Sequence, residues 1–287
     1  MPQKPRDSDA KQPLFSIAIP AYKDKTLLGL ALTSILTQSI ADLEVIVSDD
    51  SASDELQALV AATGDKRVVY LRRDAPAGAV ANWNYCLDQC RGRYIVLMHH
   101  DERFAHPNCL AAIERTFRDT RAQVVVSALT IESKSGSRSQ SLPHRAARRF
   151  TAAYFHDLAL IYNTIGPVSV LALDQSAATV RFDERLRWLV DAEYYARLFA
   201  GRIVRVCTDS EVISHLEHAH RITDRLDTVQ LETAERAAIL SRESSMLRRA
   251  VLRTAWLLRD GSGRAKRILT RGRRVRPKTA PGHERPE

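Results

Sequence analysis

Short apolar runs alternate with stretches of helical spacing through the first third of the chain. The apolar runs at 14–19, 43–47, 67–71 and 95–98 are typical of buried strands, and the first is expected to end before Pro20. Between these runs, apolar residues three and four positions apart predict amphipathic helices. Strands and helices that alternate with short connections predict a parallel sheet with helices on both faces. The expected fold class is therefore α/β.

The later part of the chain continues this pattern less regularly. A predicted helix at 107–118 and a predicted strand at 123–129 are followed by a serine-rich segment at 133–141. That segment could be a lid over a bound molecule or only an exposed hairpin loop, and the sequence favours neither. The apolar stretches 203–206 and 212–216 predict two further strands.

Candidate site residues, most of them polar, follow three of the predicted strands at the point where each strand ends. They are Pro20, Ala21 and Tyr22 after the first strand, Asp49 and Asp50 after the second, and His99, His100, Asp101 and Glu102 after the fourth. Because the carboxyl ends of parallel strands face the ligand crevice of an α/β sheet, these groups are expected to converge. Asp50 could accept a hydrogen bond from a base N–H or a ribose hydroxyl, and Tyr22 could stack on a base. The alternative is that the aspartates cap helices and that Tyr22 is an ordinary surface ring.

Composition argues against several classes of protein. No run approaches the roughly 18 apolar residues that a membrane-spanning helix needs, and residues 1–12 lack the apolar core of a signal peptide. The 4 cysteines form no CxxC pair, so the sequence predicts reduced thiols in a cytoplasmic protein. No GxGxxG follows the first strand, which argues against a dinucleotide-dependent oxidoreductase.

Positive charge is concentrated near the end of the chain. The net charge is +9, and much of the excess lies beyond Arg242. Apolar residues at helical spacing beside arginines predict an amphipathic helical extension over 226–260, which Gly261-Ser262-Gly263 is expected to end. Such a helix could lie on an anionic membrane surface, or pack on the rest of the protein with a solvated basic face. No motif for RNA or DNA accompanies the charge, so nucleic acid is not an expected partner.

Several short motifs occur in an order that is similar to that of family-two glycosyltransferases. They are 16–22 (SIAIPAY), 34–38 (SILTQ), 45–54 (VIVSDDSASD), 78–84 (GAVANWN) and 92–95 (GRYI). The resemblance covers most of the chain up to residue 220. It implies a GT-A fold, which is a Rossmann-like, mostly parallel sheet, and inverting transfer of a sugar from a nucleotide-diphosphate sugar.

The resemblance and the composition together predict a division of the chain. A flexible N-terminus, 1–13, would precede a GT-A domain at 14–225. Within that domain, 14–103 would be the nucleotide-sugar-binding half and 104–225 the acceptor half. The helical extension would follow, and then a flexible basic tail at 261–287.

A metal site is implied after the fourth strand. The family has a DxD motif there, whose last Asp ligates a divalent cation bound to the donor diphosphate, and Asp101 falls on that Asp. Glu102 falls on the acidic residue that often follows, whereas His99 replaces the first Asp. Because hard cations prefer oxygen ligands, this replacement weakens Mg²⁺ binding and suits Mn²⁺ better. His99 or His100 could itself be a ligand, and His100 could instead bind the ribose or a phosphate.

The resemblance assigns a general base as well. Asp191 falls on the Asp of the family's ED motif, although Val190 occupies the Glu position, and Glu193 is the reserve candidate. A carboxylate at a helix N-terminus also has a structural explanation, because it interacts favourably with the helix dipole. The family often has a His near this point that reaches the donor phosphates. His218 or His220 could take that role or join the metal, unless they are ordinary surface histidines.

The predicted function is an inverting glycosyltransferase that uses a UDP-, GDP- or dTDP-sugar and a glycan, lipid-linked or polysaccharide acceptor. The expected nucleotide-sugar-binding residues are Pro20, Ala21, Tyr22, Asp49, Asp50, Asn82, His99 and His100. The alternative is a catalytically impaired relative that binds nucleotide or glycan without turnover, as the missing first Asp suggests. The resemblance implies cell-envelope polysaccharide or glycolipid synthesis, with the protein cytoplasmic or peripheral on the inner face of the membrane.

Overall fold

The computed structural model describes residues 11–73, 75–134, 136–215 and 227–272, with the backbone alone at Leu142 and 262–272. The strands in these ranges are β1 (Phe15–Ala21), β2 (Leu43–Asp49), β3 (Val68–Arg72), β4 (Tyr94–Leu97), β5 (Glu102–Phe104), β6 (Val124–Ser133), β7 (Gly136–Ser139), β8 (Leu171–Asp174) and β9 (Val204–His215). The helices are α1 (Lys25–Leu36), α2 (Glu55–Ala62), α3 (Ala79–Asp88), α4 (Cys109–Thr120), α5 (Leu142–Ala153), α6 (Leu158–Ile161), α7 (Val190–Phe199), α8 (Thr228–Arg242) and α9 (Met246–Gly272).

One mixed, mostly parallel sheet contains all of these strands. The strand order is β3-β2-β1-β4-β8-β6-β9-β5, and β7 pairs with β6. Strands β1 to β4 are mutually parallel, β6 and β9 are parallel, and β8 lies antiparallel between β4 and β6. Every residue of β1 and β2 is buried, as expected for parallel strands that helices cover on both faces. The predicted α/β class is confirmed.

The first strand is longer than the sequence predicts. β1 continues through Pro20 to Ala21, and these residues pair with Ser48 and Asp49 of β2. On its other side, β1 pairs with β4 only as far as Ala18. A proline, which has no N–H, is tolerated where a strand has a neighbour on one side alone. The prediction that β1 ends before Pro20 is therefore wrong.

The two strands predicted after α7 are a single strand, β9. Its pairing with β6 shifts between Ser127 and Ala128, where Cys207 is followed in register by Glu211. The polar residues 208–210 form a bulge and have no ladder partner in β6. This bulge divides the apolar pattern in two although the strand continues, and the prediction of two strands is wrong.

The serine-rich segment forms a hairpin. β6 ends at Ser133 and pairs antiparallel with β7, whose first residue, Gly136, has a φ of 117°. Glycine is favoured at such a positive φ because it lacks a Cβ. The short strand β5, which the apolar pattern does not predict, pairs antiparallel with β9.

The chain divides into two compact units, and the first ends at Glu235. The predicted domain limit at residue 225 lies outside the described residues. The helical extension is interrupted after Arg242, where α8 ends. In the second unit, α9 runs through Gly261-Ser262-Gly263 to Gly272, so the prediction that these residues end the helix is wrong. Glycine costs a helix about 1 kcal/mol per residue, which a long helix can tolerate.

The predicted flexible ends lie largely outside the described residues, which omit 1–10 and 273–287. Within the N-terminal part, the Gln12 side chain donates a hydrogen bond of 2.9 Å to the Arg91 carbonyl. None of the described helices combines the length and the apolar character needed to cross a bilayer.

Candidate active site

A cavity of about 1080 Å³ lies at the carboxyl ends of β1, β2 and β4. The β6–β7 hairpin, the loop at 163–167 and the first turn of α7 contribute to its lining. The predicted site residues that line it are Pro20, Ala21, Tyr22, Asp50, Asn82, His99, His100, Asp101 and Asp191. The sheet therefore brings together the strand ends that the sequence predicts to converge. Asp49 and Glu193 are not among the lining residues, and His218 and His220 lie outside the described residues.

The two adjacent aspartates after β2 have different surroundings. Asp49 is buried, and its two carboxylate oxygens accept hydrogen bonds from the Tyr70 hydroxyl at 2.7 Å and the Ser51 N–H at 2.8 Å. Asp50 lines the cavity and accepts hydrogen bonds from the N–H groups of Ala77 and Gly78, at 2.8 and 2.9 Å. Each Asp50 oxygen keeps a second lone pair for a ligand. Only Asp50 is therefore positioned to contact a bound molecule.

Helix α3 contributes Asn82 and Trp83 to the cavity wall. The Asn82 amide is already engaged with β2, because it accepts a hydrogen bond from the Ser48 hydroxyl at 2.5 Å and donates one to the Ser48 carbonyl at 2.9 Å. The Trp83 ring lies 4.7 Å from the His99 imidazole, measured between ring centroids. Asn82 thus fixes the helix on the sheet, and Trp83 supports His99.

His99, Asp101 and Glu102 form a compact group of potential metal ligands. One ligand atom of each residue lies within 4.8 Å of the others. The Ser169 hydroxyl accepts a hydrogen bond of 3.0 Å from the His99 N–H and donates one to buried Glu102. Glu102 was not among the predicted ligands, because its inward position depends on β5 pairing with β9, which the local pattern does not reveal.

The donor set fits a borderline divalent cation such as Mn²⁺, since it combines an imidazole with two carboxylates. His99 Nδ1 lies 3.4 Å from Glu102 Oε2, and the enclosed Nε2 has no hydrogen-bond partner among the described residues. Burial alone would lower the pKa of His99. The hydrogen bond and charge of Glu102, together with the charges of Asp101 and Asp191, outweigh burial and raise it to about 9. His99 must therefore lose a proton before it can ligate a metal.

Asp191 is the second residue of α7 and faces the cavity. Its Oδ1 is enclosed and accepts no hydrogen bond from the described residues. Burial raises the pKa of this carboxyl to about 6, with the positive charge of His99 opposing the shift and Glu102 adding to it. An enclosed carboxylate that titrates near neutral pH and lacks a donor is well suited to accept a proton from a bound molecule.

The reserve candidate, Glu193, is engaged elsewhere. Its carboxylate forms an ion pair with Arg197 one turn later, with nitrogen–oxygen distances of 2.5 and 2.7 Å. This i,i+4 pair is an ordinary helix-stabilising contact. The geometry therefore favours Asp191 over Glu193 as a proton acceptor.

A buried carboxylate from α8 holds the loop that leads into α7. Glu235 accepts hydrogen bonds from the N–H groups of Arg187 at 2.6 Å, Trp188 at 3.1 Å and Leu189 at 2.7 Å. Leu189 is the N-cap residue of α7, and its own N–H is one of the three that Glu235 accepts. Glu235 therefore fixes the loop immediately before the helix. Arg187 and Trp188 line the cavity beside Asp191. The sequence does not predict this contact, because it joins residues nearly fifty positions apart.

Basic side chains from separate elements also reach the cavity. They are Arg138 on β7, His144 on α5, Arg187 before α7 and His215 at the end of β9. Burial lowers the pKa of the His144 imidazole. The sequence assigned none of these residues to the site, because no local motif joins them. The two arginines among them, Arg138 and Arg187, can bind an anionic group in the cavity.

Solved structures with the same fold include nucleotide-sugar enzymes. Residues 1–349 of Staphylococcus aureus TarS in complex with UDP-GlcNAc superpose with a TM-score of 0.66 at 14% identity, over 86% of this chain and 72% of that one. The mannosyltransferase PcManGT of Pyrobaculum calidifontis, in complex with GDP-Man and Mn²⁺, gives a TM-score of 0.62 at 15% identity, over 89% and 73%. These likenesses confirm the predicted GT-A fold.

Sequence relatives point in the same direction. The Campylobacter jejuni GalNAc(5)-diNAcBac-PP-undecaprenol beta-1,3-glucosyltransferase is 34% identical over 31% of this chain and 30% of its own length. The Escherichia coli UDP-Glc:alpha-D-GlcNAc-diphosphoundecaprenol beta-1,3-glucosyltransferase WfaP is 30% identical over 31% and 36%. The matches thus span about a third of these relatives. The family model "Glycosyl transferase family 2" matches residues 16–171, which is more than half of the 287 residues. The chain therefore belongs to glycosyl transferase family 2, as its motifs predict.

Proposed function

We propose that this protein is an inverting glycosyltransferase that moves a sugar from a nucleotide-diphosphate sugar to an acceptor hydroxyl. One observation carries the proposal. The enclosed Asp191 carboxylate, which lacks a hydrogen-bond donor among the described residues, faces the same cavity as the His99–Asp101–Glu102 group. A proton acceptor and a candidate cation site in one cavity are what transfer from a sugar diphosphate requires.

Each group has a defined part in the proposed reaction. Asp50 and Tyr22 bind the nucleoside. His99, Asp101 and Glu102 would hold Mn²⁺ or Mg²⁺, and such an ion would supply positive charge to the diphosphate leaving group. Asp191 takes the proton of the acceptor hydroxyl while the oxygen of that hydroxyl bonds to the anomeric carbon. The bond between the anomeric carbon and the diphosphate breaks in the same step. A single in-line displacement inverts that carbon and needs no covalent nucleophile.

The proposed donor is a UDP-sugar and the proposed acceptor a lipid-linked glycan. The E. coli and C. jejuni relatives are named for undecaprenol-linked substrates, and WfaP is named for UDP-glucose. The arginines of the cavity, Arg138 and Arg187, suit an acceptor or donor that carries phosphate. GDP- and dTDP-sugars are the alternatives for a donor screen.

The second unit is proposed to rest on the anionic inner face of the membrane, which makes the protein peripheral and cytoplasmic. Apolar side chains of α9 are exposed at helical spacing, and they are Met246, Leu247, Val251, Leu257 and Leu258. Arg253 is exposed beside them. An exposed apolar stripe flanked by arginine is typical of helices that lie in the bilayer interface.

The decisive experiment measures release of nucleoside diphosphate from UDP-, GDP- and dTDP-sugars, with lipid-linked acceptors and Mn²⁺ and again with EDTA. Asp191→Asn is expected to lower transfer by at least about 100-fold, because a general base contributes that much, and to leave metal-dependent nucleotide binding unchanged. Glu193→Gln on the same helix is the matched comparison and should keep transferring. Equal turnover by wild type and Asp191→Asn would remove Asp191 from the base role.

A nucleotide- or glycan-binding protein without turnover is the second candidate. His99 in place of a carboxylate favours it, because a histidine whose pKa is about 9 opposes metal binding at neutral pH. Nucleotide binding without release from any donor would support this candidate.

A further inference from the structure

Exposed aromatic side chains are concentrated in one segment of the first unit. Five aromatic side chains are exposed among the described residues, and four of them lie between positions 150 and 162. They are Phe150 (52% exposed), Tyr154 (80%), Phe155 (40%) and Tyr162 (51%). The fifth, Tyr22, lines the cavity. Single exposed apolar residues are common, but a cluster of large rings marks an interaction surface.

Hydrogen bonds from buried side chains fix the segment 145–162, called here the rim segment, to the rest of the first unit. Buried Arg148 donates hydrogen bonds to the carbonyl groups of Ser127 and Ile165, and Thr151 and Thr164 share a hydroxyl contact of 2.8 Å. These contacts tie α5 to the sheet and to the chain that follows α6. The exposed rings therefore stand on a fixed platform.

Both ends of the rim segment lead into the cavity. His144, just before it, and Asn163, just after it, line the cavity wall, as do Gly166 and Pro167. The rim segment therefore connects two parts of the cavity wall along the chain.

The charge of the rim segment identifies its partner. Arg145 and Arg149 are exposed on the same helix as Phe150, and Asp157 is the only acidic residue in the segment. Tyrosine rings, which have a polar hydroxyl, and arginines, which have long apolar stems, are enriched where protein meets the bilayer interface, and the rim segment exposes two tyrosines and two arginines. We propose that the rim segment is a docking surface for an anionic lipid bilayer, separate from α9. That it presents a lipid-linked acceptor to the cavity rests on the proposed function, whereas the docking itself does not.

Vesicle binding of the full-length chain tests this proposal without any sugar donor. The probe is a vesicle of phosphatidylcholine and phosphatidylglycerol, compared with phosphatidylcholine alone. The variant Phe150→Ser/Tyr154→Ser/Tyr162→Ser is expected to partition about tenfold less to the anionic vesicles, because each removed ring lowers the buried apolar area. Arg149→Glu should weaken anionic binding and leave the weak neutral binding unchanged.

The matched control is Leu30→Ser/Ile203→Ser/Val229→Ser, which removes three exposed apolar side chains elsewhere in the first unit. It should bind vesicles as wild type does. Leu257→Ser/Leu258→Ser measures the contribution of α9, and an unchanged melting temperature confirms that each variant is folded. Wild-type binding by the rim variant would overturn the proposal, as would loss of binding by the control to the same extent. Vesicle binding through the rim by a protein that binds none of UDP, GDP and dTDP would overturn the proposed function and leave the docking surface standing.

Discussion

The Asp191 carboxyl occupies a setting that costs the folded protein stability. Its pKa is about 6 in the folded protein, against 3.8 for an exposed Asp. The folded state therefore binds this proton more tightly than the unfolded state does. Tighter binding of this proton stabilises the folded state relative to an ionised Asp191. This stabilisation is fully present below pH 3.8, and it is lost as the pH rises through about 6 and the carboxyl ionises. Relative to an unperturbed carboxyl, the ionised group costs about 3 kcal/mol near neutral pH, since each pKa unit corresponds to about 1.4 kcal/mol.

Asp191→Asn is expected to raise the free energy of unfolding by up to about 3 kcal/mol at pH 7.5, because the amide carries no charge into the enclosed site. The gain should shrink to a few tenths of that value at pH 4, where the wild-type carboxyl is mostly protonated when folded. Urea unfolding in EDTA at the two pH values measures both quantities. Glu193→Gln, which loses the Arg197 ion pair, should give no gain at either pH. An equal gain for Asp191→Asn at both pH values would contradict the buried charge as the cause.

Single residues also mark where sequence reasoning succeeds and fails. The motif that contains Asp49 and Asp50 predicts a carboxylate at the cavity, and Asp50 is there. The sequence could not separate the two, because successive side chains leave a strand on opposite sides and the pleat is not written in the motif. Glu102 was similarly missed as a ligand, because its inward orientation is set by a strand pairing with residues about a hundred positions away.

At the scale of the element, the loop that leads into α7 depends on Glu235 of α8 for its hydrogen-bond acceptor. Glu235→Gln is expected to lower the free energy of unfolding by about 2 kcal/mol. The loop N–H groups bind both carboxylate oxygens of Glu235, whereas the glutamine amide has only one acceptor oxygen. Activity should fall through a higher KM for the acceptor and a lower kcat, since the loop carries Arg187 and Trp188 and leads to Asp191. The KM for the sugar donor should be unchanged.

Thr233→Ala, on the same helix, is the control for Glu235→Gln. The exposed Thr233 hydroxyl donates its hydrogen bond to the Val229 carbonyl within α8, so acceptor KM should stay at the wild-type value. A loss of stability in Glu235→Gln without any change in acceptor kinetics would reduce Glu235 to a structural role.

The elements of the first half follow from the sequence, whereas those of the second half follow only in part. Local periodicity predicts β1 to β4 and the helices between them. Each of these strands pairs with a parallel neighbour, and helical crossovers connect them along the chain. β8 and β9 pair across long separations, and the bulge at 208–210 interrupts the apolar pattern of a continuous strand. In α9, the Gly-Ser-Gly signal predicts a break that the surrounding helix-forming residues override.

At the scale of the molecule, the sequence predicts the site better than it predicts the residues that support it. Strand ends that are far apart in the chain meet because parallel strands share one carboxyl edge. This rule applies as soon as the strands are predicted. No such rule predicts the polar contacts that support the site. They are the hydrogen bonds of Ser169 with Glu102, of the Leu189 N–H with Glu235, and of Arg148 with the Ile165 carbonyl. In each contact, the partner of the polar side chain is set by the finished fold.

Nucleotide and metal together are expected to stabilise the folded protein, because a ligand that binds only the folded state adds about 2.7 kcal/mol at one hundred times its Kd. Thermal unfolding of the full-length chain with UDP should show a larger rise in Tm with Mn²⁺ than with Mg²⁺, since His99 supplies nitrogen to the site. In His99→Asp the third ligand becomes oxygen, so the rise with Mg²⁺ should exceed that of wild type. EDTA should remove most of the rise in both proteins. Equal rises with the two metals in both proteins would exclude His99 as a ligand, and a UDP effect that EDTA leaves intact would exclude the metal from the site.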